Sequence, residues 1–150
     1  LDEAMEKAND SQDREFTTIM FDIDFFKQVN DTYGHAGGDA VLISFAKLLE
    51  SEITSPNIVG RIGGEEFLAI LYLNQDQAAE FCKKLIIKIN DNTVNFDGID
   101  IKISSSGGVA FSSETNTSAD LTNKADERLY EAKKSGRNRF KLIDSELVGD

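Results

Sequence analysis

The sequence predicts an α+β domain in which helices cover a mostly antiparallel sheet. Three observations carry this reading. The run Phe16 to Ile23 is β-rich and apolar at nearly every position, a glycine pair sits between two further apolar strands, and three stretches of helical periodicity are interleaved with the strands. A chain of 150 residues can bury a real core, about two-thirds of its unfolded surface. No repeat, low-complexity tract or Pro-rich linker divides it, so one domain over residues 1–150 is expected.

Residues Leu1 to about Arg14 read as the end of a polar helix. Phe16 to Ile23 is too apolar for a surface strand and is expected in the middle of the sheet. A short helix is expected from Phe25 to Tyr33 and a longer one from near Gly38, where Val41, Leu42, Phe45, Leu48 and Leu49 keep helical spacing. Pro56 marks the break after it. Ile58 to Ile62 and Phe67 to Leu73 then form a β-hairpin around the glycine pair. Ala78, Phe81, Cys82, Leu85 and Ile89 mark an amphipathic helix, Asp97-Gly98 a turn, and Ile101 to Phe111 a strand. Asp120 to Lys134 is the last long helix, with Lys133 and Lys134 at its negative end and Gly136 just beyond. A strand near Arg139 to Ile143 closes the order β-α-α-β-β-α-β-α-β.

A content of 40% hydrophobic and 29% charged residues is that of an ordinary globular protein. No apolar stretch approaches the roughly 20 residues of a membrane span, and no signal peptide is visible. A net charge of −11 speaks against a nucleic-acid backbone as partner, since that binding runs on clustered Lys and Arg. A polyphosphate stays open as a ligand if a metal ion mediates. The single Cys82 excludes an intramolecular disulfide and suits a reducing cytoplasm; its spacing with Phe81 and Leu85 reads as a buried thiol rather than a nucleophile.

The chemistry-bearing residues fall in three places. Gly63 and Gly64 permit positive φ and leave no Cβ, so a ligand can approach the backbone closely. Glu65 and Glu66 follow at once; taken alone, this is either a Gly-rich hairpin with surface acids or a metal site at a strand end. Asp22 ends the apolar first strand, where a carboxylate is costly to bury unless paired or metal-bound; a strand-end turn residue is the plainer alternative. If the hairpin lies beside that strand, the three acids converge, and carboxylates with no nearby His or Cys describe a hard-cation site for Mg²⁺ or Mn²⁺ rather than Zn²⁺. Within Asp22 to Asp39, backbone N–H groups after a strand and at a helix start can cradle phosphates. Asn30 and Asp39 can read a guanine edge, or equally cap helices.

Arg61 with Gly63 to Phe67, the 22–39 stretch, and Ala125-Asp126 with Tyr130 to Asn138 together resemble the GGDEF family, in matching order over almost the whole chain. The resemblance implies a sheet like the palm of nucleotidyl cyclases and polymerases, with a ferredoxin-like core. It also implies a diguanylate cyclase that condenses two GTP into cyclic di-GMP and two pyrophosphates. Asp22 and the carbonyl of Ile23 match metal ligands; so do Glu65 and Glu66, one of them also a candidate base for the attacking 3′-hydroxyl. Asn30 and Asp39 match the guanine-reading positions, with His35 nearby. Gly63 and Gly64 match the turn against the substrate, the amides of Phe25, Phe26 and Lys27 the phosphate cradle, and Lys133 and Arg137 terminal-phosphate contacts. Two Mg²⁺ or Mn²⁺ ions per site, about 3.5–4 Å apart, would clamp an in-line displacement. Since one GTP per domain makes half a site, activity implies a homodimer about a two-fold axis.

The chain departs from the family pattern twice. The R-x-x-D product-inhibition site becomes Thr54-Ser55-Pro56-Asn57, which offers neither guanidinium nor carboxylate, so tight product inhibition is not expected there. The D-x-L-T-G-L-x-N-R segment that precedes the domain is absent, and the chain opens on Leu1 rather than Met. It is therefore expected to be a piece of a longer cytoplasmic protein with an upstream sensor domain; that parent can be membrane-anchored, but this fragment offers no membrane contact. Competing readings are a silent GTP-binding regulatory module, a cyclic di-GMP receptor and a cyclase of altered base choice. The intact hairpin, Thr54 with Asn57, and the acid at Asp39 argue against these in turn.

Overall fold

A computed structural model describes residues 15–143 and 147–149. Along the chain run β1 (Thr17–Ile23), α1 (Phe26–Glu52), β2 (Ile58–Gly63), β3 (Glu66–Leu71), α2 (Gln75–Asp91), β4 (Thr93–Phe96), β5 (Ile99–Lys102), β6 (Ser105–Phe111), α3 (Ser118–Lys134), β7 (Arg139–Lys141) and β8 (Leu147–Gly149). Six strands form one sheet in the order β2-β3-β1-β6-β7-β8, antiparallel throughout except for the β6–β7 pair. This is the α+β architecture expected, with β1 inside the sheet and all seven of its residues buried.

Both faces of β1 are covered, which is why its sequence lacks polar alternation. Ile19, Phe21 and Ile23 point to a core shared with Phe45 and Leu49 of α1 and Cys82 and Leu85 of α2. Met20 joins Leu68, Ile70 and Ala110 under Leu121, Ala125 and Leu129 of α3. Alternation along a strand therefore puts Asp22 on the α3 face. Gly108 lets α3 lie against β6: a Cβ there would come within 1.9 Å of the Ala125 carbonyl oxygen. That close packing sets the register in which the C-terminal turn of α3 reaches the end of β1.

Several expected elements are corrected. The two expected helices form one span with a kink at Gly34 (φ 76°), and its second half starts directly after the kink rather than at Gly38. Gly34 supplies the break, so the buried Gly37 and Gly38 are free to lie inside the helix. The strand expected over Ile101 to Phe111 is two strands. Left-handed Asp97 (φ 50°) and Gly98 (φ 80°) fold β4 and β5 into a separate hairpin, and the chain enters the main sheet only at Ser105. The closing strand is shorter than expected, Arg139–Lys141, and is joined by β8. The polar helix expected over Leu1 to Arg14 lies outside the described residues. None of the described helices is long and apolar enough to cross a membrane.

The helix ends follow local chemistry. Asn74 and Gln77 close a reciprocal capping box at the start of α2. Thr117 accepts from the Asp120 N–H at the start of α3, and Lys133 and Lys134 occupy its last turn.

Candidate active site

Asp22, the last residue but one of β1, stands directly opposite Glu66 of β3, so both side chains rise from the same sheet face. Asp22 is 3% exposed. Its Oδ2 accepts from the Lys133 ammonium, while its equally buried Oδ1 has no partner. Burial pushes its carboxyl up; the Lys133 hydrogen bond and charge oppose this, the charges of Glu65 and Glu66 add to it, and the net result lies above the ordinary 3.8. The hairpin thus lies beside β1, with Glu66 opposite Asp22 and the charges of both glutamates felt at Asp22. Among the described residues, however, no group of three or more His, Cys, Asp or Glu side chains is assembled to hold an ion by itself. The unpartnered Oδ1 and an all-oxygen donor set fit a hard cation.

The hairpin between β2 and β3 carries a bulge after Arg61, and Gly64 takes the left-handed conformation (φ 51°). The Arg61 Nε–H donates to the Gly64 carbonyl at 2.7 Å and locks the turn. Glu65 is half-buried beside Asp22's field, whereas Gly63, Gly64 and Glu66 are exposed to an incoming ligand.

At the head of α1, Phe25 is left-handed (φ 56°, ψ 34°) and Phe26 begins the helix. A left-handed residue followed by helical ones can gather successive N–H groups into an anion-binding concavity, and this backbone is compatible with the cradle expected of Phe25, Phe26 and Lys27. The Arg137 guanidinium stacks over the Phe25 ring, 4.5 Å from its centroid. Arg137 is thereby brought to the cradle, whereas Lys133 is held at Asp22.

One turn further along α1, half-buried Asn30 packs against Gly38, whose added Cβ would lie 1.8 Å from the Asn30 Oδ1. Past the kink at Gly34, Asn30 thus lies against Gly38, the residue that precedes the exposed Asp39. His35 is exposed one residue past the kink.

One contributor went unread in the sequence, and another was named only as part of the motif. Asp24, fully buried, bonds across the chain to Ser104, Ser106 and Asn138. Arg61 acts on the turn's backbone; its i to i+3 spacing from Gly64 is the one local signal that pointed to it.

An acid-tipped central strand, a Gly-Gly turn opposite it and an amide cradle beside it define a nucleotidyl-cyclase-like class of domain. The family model described as "Diguanylate cyclase, GGDEF domain" matches residues 1–139, and the chain belongs to that family. Diguanylate cyclase A of Treponema denticola is 38% identical over 131 residues, covering 86% of this chain and 35% of that protein. Among solved structures, the diguanylate cyclase SiaD of Pseudomonas aeruginosa, in complex with its activator SiaC, superposes with a TM-score of 0.89 at 32% identity. That match covers 95% of this chain and 56% of SiaD. The active GGEEF domain of a diguanylate cyclase from Vibrio cholerae gives 0.82 at 31% identity, over 96% of this chain and 92% of that one. The chain spans less than half the length of the first curated relatives it matches.

Proposed function

We propose that this domain is a diguanylate cyclase that condenses two GTP into cyclic di-GMP and two pyrophosphates, acting as a two-fold dimer. The observation that carries the reading is Asp22: a buried carboxylate at the end of a central strand, one oxygen unpartnered, with two glutamates beside it. Asp22, Glu65, Glu66 and the Ile23 carbonyl are the groups that would hold Mg²⁺ or Mn²⁺, two per site. Bound there, the cations supply Lewis acidity at the α-phosphate and charge neutralisation for the leaving pyrophosphate.

The chain's own residues do the rest. Asn30 and Asp39 orient guanine, the Asp39 carboxylate accepting from N1–H and N2–H₂, with His35 at the pocket edge. The amides of Phe25, Phe26 and Lys27 hold the β- and γ-phosphates, and Arg137 adds positive charge at the phosphate tail, where Lys133 joins it on leaving Asp22. Gly63 and Gly64 leave room for the nucleotide against the turn. One glutamate of Glu65-Glu66 takes the proton of a 3′-hydroxyl. That oxygen forms a bond to the α-phosphorus of the facing GTP as the α–β phosphoanhydride breaks and pyrophosphate departs. Each domain supplies one GTP, so a second copy must face it. An upstream sensor module, a cytoplasmic setting and the absence of R-x-x-D product inhibition complete the reading.

Incubation of a tethered dimer with GTP and Mg²⁺ tests it. Cyclic di-GMP is expected from the wild type, and none from Glu66→Gln with an unchanged fold. A wild type that returns GTP intact would overturn the proposal.

A further inference from the structure

Asp24 stands two residues from Asp22, and the D-x-D spacing alone would nominate it as a second metal-facing acid. Its surroundings differ in kind. Its side chain has no exposed surface. Oδ1 accepts from the Ser106 hydroxyl at 2.6 Å, and Oδ2 from the Ser104 hydroxyl at 2.6 Å and the Asn138 backbone N–H at 2.9 Å. The Arg137 guanidinium lies 3.8 Å from Oδ1. A carboxylate offers about four acceptor sites; here three take protein hydrogen bonds and a guanidinium stands close by. Asp22, by contrast, keeps a buried oxygen free.

The contacts of Asp24 converge on one segment. Arg137 (φ 63°) and Asn138 (φ 51°) are consecutive non-glycine residues in the left-handed region, which costs on the order of 1 kcal/mol or more at each. Among the bonds that hold this loop in place, Arg137 N–H donates to the Ala132 carbonyl at 3.0 Å, Asn138 N–H to Asp24, and the Arg139 Nε–H to the Arg137 carbonyl at 2.9 Å. The Arg137 side chain is then fixed from two sides, by the Asp24 charge and by the face of Phe25. Phe25 is 52% exposed yet held left-handed at the head of α1, where its ring serves as a platform for the guanidinium.

We propose that Asp24 is a positioning residue: with Phe25 it holds Arg137 at the head of α1, where the guanidinium meets the phosphate tail of a bound nucleotide. The inference rests on the GTP-binding reading above. Asp24 touches no substrate; it acts through Arg137. Its effect must therefore grow with the number of phosphates and vanish once Arg137 is removed.

The test is binding of a non-hydrolysable GTP analogue and of GMP to the full domain by calorimetry with Mg²⁺. The variants are Asp24→Asn, Phe25→Leu, Arg137→Ala and the Asp24→Asn/Arg137→Ala pair. Asp24→Asn is expected to weaken the analogue about tenfold, the equivalent of one lost charge-assisted contact, and to leave GMP within twofold. In the Arg137→Ala background it should cost nothing further, the coupling a shared contact requires. Phe25→Leu keeps the backbone and an apolar side chain but loses the ring face. It should reproduce the same selective loss, and it decides the matter if Asp24→Asn does not fold. Equal weakening of both nucleotides in the folded variants, or additive losses in the pair, would overturn the clamp and leave the cyclase reading standing. A wild type that binds neither nucleotide overturns both.

Discussion

The Lys133 ammonium rests on one oxygen of Asp22, while the other oxygen of that carboxylate is buried without a partner. The arrangement is costly for the fold and explicable by function. Raised above 3.8, the Asp22 pKa favours the protonated form in the folded state. Its contribution to stability is fully present below 3.8 and is lost as pH rises through the raised value, so at neutral pH Asp22 destabilises the domain. Asp22→Asn is expected to raise Tm by about 3 °C at pH 7, roughly 1 kcal/mol, and to abolish product formation. Thermal melts across pH check the sign: the gap to wild type should shrink as pH falls toward 3.8.

Lys133 should matter for stability only through Asp22. Lys133→Met leaves the buried carboxylate uncompensated, and a loss of about 1–3 kcal/mol is expected in the wild-type background. In Asp22→Asn the same change should cost little, because the lysine is 28% exposed and can turn to water. Denaturant melts of the double-mutant cycle measure this coupling; equal losses in both backgrounds would count against it.

On the far side of α3, Arg128 and Glu114 form a bidentate pair at 2.7 Å, and the Arg128 guanidinium also donates to the Val109 carbonyl. Burial pushes the Glu114 carboxyl up, but hydrogen bonds from Arg128 and the Phe111 N–H, with the Arg128 charge, outweigh it and hold the carboxyl below 4.5. Its stabilising contribution is therefore present above 4.5 and is lost as pH falls through the depressed value. Glu114→Gln should cost about 3 kcal/mol at pH 7, since Arg128 is left nearly buried without its counter-charge. Unfolding curves at pH 7 and below pH 4 should show that penalty and then its decline.

The loop before the hairpin uses Asn57 for structure. Its Oδ1 accepts from the Tyr72 N–H at 2.8 Å, tying the loop to the end of β3. Asn57→Ala is expected to cost about 1 kcal/mol and to leave the response to added cyclic di-GMP unchanged. Submicromolar product binding that disappears in Asn57→Ala would contradict the absence of an inhibitory site.

What the sequence disclosed was local. The apolar run of β1, the hairpin around Gly63-Gly64, and the last helix ending at Lys133 each announce themselves within a few residues. β4 and β8, at four and three residues, are too short to show a period, and their pairing is decided by the turn at Asp97-Gly98 and by packing on β7. Asp22, Glu65, Glu66, Asn30 and Asp39 stood out because resemblance supplied what spacing could not. Asp24 did not, because its partners Ser104, Ser106 and Asn138 lie 80, 82 and 114 residues away. A buried acid that braces a loop and one that binds a cation look alike until those contacts are known.

On the function proposed above, the groups around Asp22 make half of a GTP-condensing site. Specific activity against protein concentration, with GTP and Mg²⁺ in excess and the product identified by mass, tests it most directly. Cyclic di-GMP with two pyrophosphates per product is expected, with an activity per domain that rises with concentration until dimerisation saturates. Activity per domain that stays flat across that range in the untethered domain, or GTP bound and recovered intact at every concentration, would contradict it.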